Sequence, residues 1–99
     1  MYVMRELVHC KPGKVRAMVE KFRMLSDALE ESGGKPLRLL TDVSGERFWT
    51  VVVEATVERV EDFFVFEQEL MSKPAIRERM ADYHDLVESG SREIYRIES

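Results

Sequence analysis

Three short stretches of this sequence bring together side chains that could transfer a proton or hold a polar ligand. Two of them are β-forming and place two polar residues four positions apart, which puts both on one face of a strand. The third places two such residues side by side. The six candidates are Arg5 and His9, Thr50 and Glu54, and Tyr83 and His84.

Arg5 and His9 would share a strand face with Leu7. One interpretation is a cavity that holds a cation next to a titratable base. The other, which we favour, is structural: Arg5 pairs with a glutamate across the sheet, and His9 lies at the exposed end of the strand.

Glu54 follows a run of three valines and alternates onto the face of Thr50. A carboxylate near the end of a buried strand can act as a general base with a raised pKa. The structural interpretation, again favoured, places Glu54 at the rim of the sheet or in an ion pair. The candidate partners are Arg5, Arg38 and Arg92.

Tyr83, His84 and Asp85 form the densest cluster of proton-transfer groups. Neighbouring residues on a helix point about 100° apart, so the three cannot converge on one atom. Tyr83 lies on the apolar stripe of its helix and is expected in the core with its hydroxyl at the edge. His84 is expected to face solvent or the mouth of a cavity.

The sequence predicts no metal site and no cofactor. The soft ligands are His9, Cys10 and His84, and adjacent residues of a strand point to opposite faces. Haem ligation by one histidine stays open. The glycines at 33 and 34 follow a helix, whereas a phosphate-binding loop precedes one.

Composition limits the classes of partner. The 99 residues suit a single domain, residues 1–99. A net charge of −4, with acids and bases interspersed, argues against nucleic acid, and no apolar run approaches the ~20 residues of a membrane helix. The one cysteine, Cys10, allows no intrachain disulfide, which fits the cytoplasm.

Hydrophobic periodicity predicts the order strand, helix, strand, strand, helix, strand. The centre is the apolar stretch from Phe48 to Thr56, with Thr56 as the cap of the next helix. Gly33 and Gly90 mark predicted helix ends. The predicted strands are residues 2–9, 37–42, 47–55 and 92–97, and the helices are residues 14–31, 57–71 and a segment from Ser72 to about 88.

This order predicts an α+β fold of ferredoxin-like βαββαβ type. We expect a four-stranded antiparallel sheet with strand order 4-1-3-2 and both helices on one face. The strands carry apolar residues on both faces, Leu39 against Leu40 for example. An uncovered apolar face favours burial against a second copy, so we predict a homodimer with the two sheets face to face.

The sequence resembles the dimeric α/β-barrel superfamily, nearest to NIPSNAP-like proteins and antibiotic-biosynthesis monooxygenases. The resemblance rests on Lys11-Pro12-Gly13-Lys14 after the first strand, on FWTVVVE before an acidic helix, on Ser72-Lys73-Pro74, and on Gly90-Ser91-Arg92-Glu93. It implies a barrel closed by two chains whose interior can hold a ligand. The monooxygenases commonly use an asparagine there, and this sequence contains none.

Two functional hypotheses follow, and the sequence leaves open whether the protein is an enzyme. In the first, the barrel interior binds or oxidises a small apolar or aromatic molecule, using the six candidate residues. In the second, the protein is a non-enzymatic structural or interaction module with a filled barrel core.

Overall fold

A computed structural model describes residues 1–99 and contains four strands and four helices. The strands form one antiparallel sheet of order β2-β3-β1-β4, the predicted order counted from the other edge. The ferredoxin-like α+β fold is therefore confirmed. None of the helices combines the length and apolar character that crossing a membrane requires. The elements are β1 (Tyr2–Cys10), α1 (Val15–Glu31), β2 (Arg38–Thr41), β3 (Thr50–Val57), α2 (Val60–Met71), α3 (Pro74–Arg79), α4 (Tyr83–Leu86) and β4 (Val87–Arg96).

The central strand β1 fixes which side chains face the helices. It pairs with β3 so that Val8 lies opposite Val51 and Leu7 lies opposite Val52. Because cross-strand partners point the same way, the even-numbered residues of β1 join Val51 and Val53 on one face, which α1 covers. The odd-numbered residues of β1 lie on the other face.

Helix α1 supplies most of the core, as its predicted stripe requires. Met18, Val19 and Phe22 are buried against the sheet. The helix ends at Ser32, and Gly33 follows with φ +91°, a conformation that suits glycine because it has no Cβ. The predicted helix stop at this position is confirmed.

The molecule is a flat slab of 37 × 34 × 17 Å, with helices on one face of the sheet only. We call the uncovered side the open face. It presents alternate residues of all four strands. They are Val3, Arg5, Leu7 and His9 of β1, Arg38 and Leu40 of β2, Thr50, Val52, Glu54 and Thr56 of β3, and Ser89, Ser91, Glu93 and Tyr95 of β4.

The third strand begins later than predicted. Residues 47–49 belong to the preceding loop, because Trp49 has a left-handed φ of +61° and breaks the extended backbone. Phe48 is therefore 83% exposed instead of buried in a central strand. β2 is also shorter than expected, and it spans four residues.

The second helix also begins later than predicted, so Thr56 does not cap it. Thr56 and Val57 extend β3 and pair with Val3 and Tyr2. The residue before the helix is Arg59, which makes no side-chain capping hydrogen bond. Sheet pairing with β1 thus prevails over the capping preference of threonine.

The predicted last helix is wrong as a continuous element. It is divided into α3 and α4, and residues 87 and 88 already belong to β4. Val87 is extended and pairs with Cys10, while the carbonyl of Leu86 accepts a hydrogen bond from Lys11 N at 2.9 Å. Pairing with the central strand outweighs the helical spacing of Val87, and the predicted helix stop at Gly90 lies inside β4.

Two valine truncations test where the core lies. Val51 is completely buried, and Val43 in the β2–β3 loop is fully exposed. Val51→Ala should lower the free energy of unfolding by about 2 kcal/mol, because it removes two buried carbons and leaves a cavity. Val43→Ala should change it by less than about 0.5 kcal/mol. Urea denaturation of both variants measures the difference, and equal effects would place the core elsewhere.

Candidate functional site

The open face carries an ion-pair cluster at one end. Arg5 Nε donates to Glu54 Oε2 at 2.9 Å, and Arg38 Nη1 lies 3.8 Å from Glu54 Oε1. Because register places Arg5 and Arg38 on the two strands that flank Glu54, both carboxylate oxygens are engaged. The hydrogen bond that Arg5 donates to Glu54 raises the pKa of the Arg5 guanidinium above its usual value. Arg5 therefore pairs with a glutamate across the sheet, and Glu54 forms ion pairs with two of its three candidate partners.

An aromatic side chain extends this cluster towards β4. The Arg5 guanidinium lies over the ring of Tyr95, 5.8 Å from its centre. Stacking of this kind leaves the polar edge of a guanidinium free to donate further hydrogen bonds. The ion-pair cluster therefore presents an aromatic surface as well as charges.

A second polar group lies at the other end of the open face. His9 Nδ1 lies 3.2 Å from Thr50 Oγ1, and that hydroxyl donates to the carbonyl of Arg47 at 3.0 Å. A hydroxyl has one proton, so Thr50 must accept from His9, and the neutral ring carries its proton on Nδ1. His9 Nε2, which makes no hydrogen bond within the chain, is then an acceptor.

Apolar side chains separate the two polar groups. Leu7 of β1, Val52 of β3 and Leu40 of β2 lie side by side across the middle of the face and are half-buried. Arg5 and His9 are four residues apart, roughly 13 Å along a strand. The open face thus has an apolar floor about as long as one small aromatic molecule, with polar groups at both ends.

The remaining two candidates lie elsewhere. Tyr83 is half-buried on the helix side, with its ring edge-on to Phe22 at 6.5 Å between centres. His84 is exposed and stacks edge-on against Tyr83 at 5.4 Å. Four of the six predicted residues therefore share the open face, and Tyr83 and His84 are separated from them by the sheet.

Two titratable groups in the core are shifted towards their neutral forms. Burial raises the pKa of Tyr83, and the negative charge of Glu6 adds to the effect. Burial likewise raises the pKa of the Cys10 thiol, with a contribution from Asp42. Both groups stay protonated at neutral pH, and Cys10 points away from His9, so neither can join the polar groups of the open face. No three His, Cys, Asp or Glu side chains come together as a metal site would need.

Sequence analysis missed one cluster, on the helix side. Arg92 Nη2 lies 3.4 Å from Glu6 and 3.3 Å from Glu67, and its guanidinium stacks near Phe63 and Phe64. Burial opposes the charge of Arg92, but the two carboxylates outweigh it and raise the pKa. The cluster ties α2 to β1 and β4. In the sequence this cluster shows only as alternating charges in a predicted edge strand, and an ordinary solvent-exposed strand has the same pattern.

The sequence also gave no sign that Tyr95 lies on the open face or that Arg47 lies next to it. The predicted alternation of the last strand puts Tyr95 with Glu93 on one face. Which face that is follows only from the register with β1. Arg47 lies in the β2–β3 loop instead of the predicted third strand, and this position brings its carbonyl within 3.0 Å of Thr50 Oγ1 at the edge of the open face.

No protein-family model and no curated protein matches the sequence. Solved structures do match it. A NIPSNAP-like domain protein from Burkholderia xenovorans has a TM-score of 0.81 and 18% identity, covering 99% of this chain and 85% of that one. A NIPSNAP family protein of unknown function from Agrobacterium tumefaciens has a TM-score of 0.80 and 16% identity, covering 98% and 87%.

A third solved structure that matches the chain is not described as a NIPSNAP protein. It is described as a putative antibiotic biosynthesis monooxygenase from Nitrosomonas europaea, with a TM-score of 0.69, 20% identity and full coverage of both chains. At such identities the likeness establishes the fold alone. The structural neighbours of this chain are thus NIPSNAP-family and antibiotic-biosynthesis-monooxygenase-like proteins, both with ferredoxin-like folds.

The shifted pKa of Tyr83 predicts an alkaline loss of stability. The folded protein keeps this phenol protonated above about pH 10, where the unfolded chain ionises it. The unfolded state then binds fewer protons, so the free energy of unfolding falls as the pH rises through that range. Tyr83→Phe keeps the contact with Phe22 and should flatten this fall. Denaturant midpoints between about pH 9 and pH 11 measure it, and an unchanged slope would contradict the assignment.

Proposed function

We propose that the chain forms a homodimer in which two open faces pack against each other and enclose a site for a small apolar or aromatic molecule. The observation that carries this proposal is the composition of the open face. Its centre is apolar, three of its four charged side chains are in ion pairs, and no part of the chain covers it. Such a face suits the interior of a two-chain barrel better than contact with water.

The accessible surface of the chain supports a partner. A compact monomer of this mass exposes roughly 5,800 Å². This chain exposes 6807 Å², about 1,000 Å² more. A stable interface buries about 800 Å² on each partner, so the excess is of the size that one dimer contact removes.

The charges of the open face are compatible with burial between two sheets. Arg5 and Arg38 both pair with Glu54, and Glu93, which lies opposite Arg5 on β4, balances the remaining positive charge of the open face. Buried charges are tolerated when they are paired and hydrogen-bonded. The cluster could therefore line a barrel interior without leaving an uncompensated ion.

The ligand we propose would lie on Leu7 and Val52, between the two polar groups. At one end His9 Nε2 accepts a hydrogen bond, which suits a hydroxyl or an N–H of the ligand. At the other end, Arg5 and Tyr95 offer a donor edge and a ring. Oxidation of such a molecule, the reaction class in the name of the Nitrosomonas protein, would use the same space.

A second candidate is a filled, non-enzymatic interface. The observation in its favour is that each Glu54 oxygen already lies next to an arginine, so the carboxylate charge is compensated without a ligand. In that case the two apolar floors would meet directly. We infer a cytoplasmic location for either candidate, which the single cysteine supports.

A lysine on the open face tests the dimer. Val52→Lys places a charge in the middle of the proposed contact and should give monomers at micromolar concentration. Val65→Lys, on the exposed side of α2, is the matched control and should leave the dimer intact. Size-exclusion chromatography with light scattering measures both masses. Dissociation by Val65→Lys alone would assign the interface to α2 and contradict the proposal.

A filling substitution separates the two candidates. Native mass spectrometry of the wild-type protein, purified gently from its own cells, should show a dimer with bound extra mass. Val52→Phe should remain a dimer and lose that mass, because the larger ring occupies the space of the ligand. A wild-type dimer without extra mass would contradict the ligand site and favour the filled interface.

A further inference from the structure

We propose a second binding site, for a planar aromatic carboxylate, in a groove at the rim of the helix side. The groove lies between the β2–β3 loop and the start of α1 and has a volume of about 580 Å³. Small-molecule sites commonly occupy about 300–1,000 Å³. Gly13, Val15 and Arg16 form one wall, and Asp42, Phe48 and Trp49 form the other.

Two adjacent aromatic side chains supply the surface that would hold a ring. Phe48 is 83% exposed and Trp49 is 44% exposed, although both are among the largest apolar residues of the chain. Exposed aromatics side by side are typical of binding surfaces, where their flat faces bury area with little loss of side-chain freedom. A planar ring lying against them would remove this surface from water.

The loop that carries these aromatics is held in one conformation. Trp49 has φ +61°, a left-handed conformation that is strained for a residue other than glycine. Three hydrogen bonds hold the strained segment: Cys10 N to the Trp49 carbonyl at 2.8 Å, Thr50 N to Asp42 Oδ1 at 2.7 Å, and Thr50 Oγ1 to the Arg47 carbonyl at 3.0 Å. The groove wall is therefore built before any ligand arrives.

Arg16 is the group of the groove that would bind an anionic ligand. Arg16 is exposed and forms no ion pair within the chain, unlike Arg23 about two helical turns further along α1, whose Nη1 donates to Glu20 Oε1 at 3.0 Å. Asp42, the acidic residue of the groove, already accepts the Thr50 N–H. A free guanidinium next to exposed aromatics matches a carboxylate on a ring, since guanidinium and carboxylate form two parallel hydrogen bonds.

The groove is separate from the open face. α1 covers the opposite side of the sheet from Arg5 and Leu7, and both walls of the groove lie at the α1 end of that side. Occupation of this groove therefore requires neither the proposed dimer nor its enclosed ligand.

Trp49 is the single tryptophan of the chain, so its fluorescence reports on this groove directly. We would titrate the protein with benzoate, with benzamide, which has the ring without the charge, and with hexanoate, which has the charge without the ring. Benzoate should change the Trp49 emission saturably. Benzamide should bind at least about tenfold more weakly, the loss expected for one charge-assisted hydrogen bond. Hexanoate should also bind at least about tenfold more weakly, because it has no flat ring to lie against Phe48 and Trp49.

Two arginine variants complete the test. Arg16→Gln should weaken benzoate binding about tenfold, while Arg23→Gln, on the same helix but outside the groove, should bind like wild type; circular dichroism checks that both are folded. No saturable response to benzoate, an equal response to benzamide, or equal losses in both variants would overturn the proposal. Emission that shifts on dilution but not with benzoate would assign the groove to a second copy of the chain and also overturn it.

Discussion

The pairing of β1 with both β3 and β4 is the constraint on which the rest of this structure depends. It places alternate residues of three strands on one side, where Met18 of α1 packs in the same core as Val8 and Val51. The same register sends Arg5, Leu7 and His9 to the other side. A shift by one residue would exchange the two sets, bury the charges under the helices and expose the core. Core and candidate site are thus two consequences of one alignment.

The open face combines features that single residues do not predict. Glu54 is matched by arginines from both neighbouring strands, and Thr50 connects His9 to the backbone of the β2–β3 loop. Because of these contacts, few polar groups on the face lack a hydrogen-bond or ion-pair partner. The middle of the face is an uncovered apolar strip on a slab 17 Å thick. A second chain would cover this strip, and a ligand could be enclosed between the two chains.

The sequence predicted the fold because its strongest signals are local. The stripe of α1 and the turn at Gly33 are set by residues a few positions apart, and the structure has both. Prediction from the sequence failed where pairing between distant segments of the chain determines the structure. Val87 has helical spacing to Tyr83, yet pairing with Cys10 draws it into β4. Trp49 adopts a left-handed backbone that normally favours glycine or asparagine, so no local pattern distinguished a displayed aromatic from a buried strand residue.

The candidate site was predictable in part for the same reason. Alternation alone places Arg5 with His9 and Thr50 with Glu54, but only register brings the two pairs to one face and leaves Tyr83 and His84 on the other side of the sheet. The central claim is that the open face is covered by a second copy. Sedimentation velocity of the wild-type protein over a range of concentrations tests it most directly. We expect a single species of twice the 11.6 kDa chain mass at micromolar concentration, and a species of 11.6 kDa at every concentration would show that the open face has no such partner.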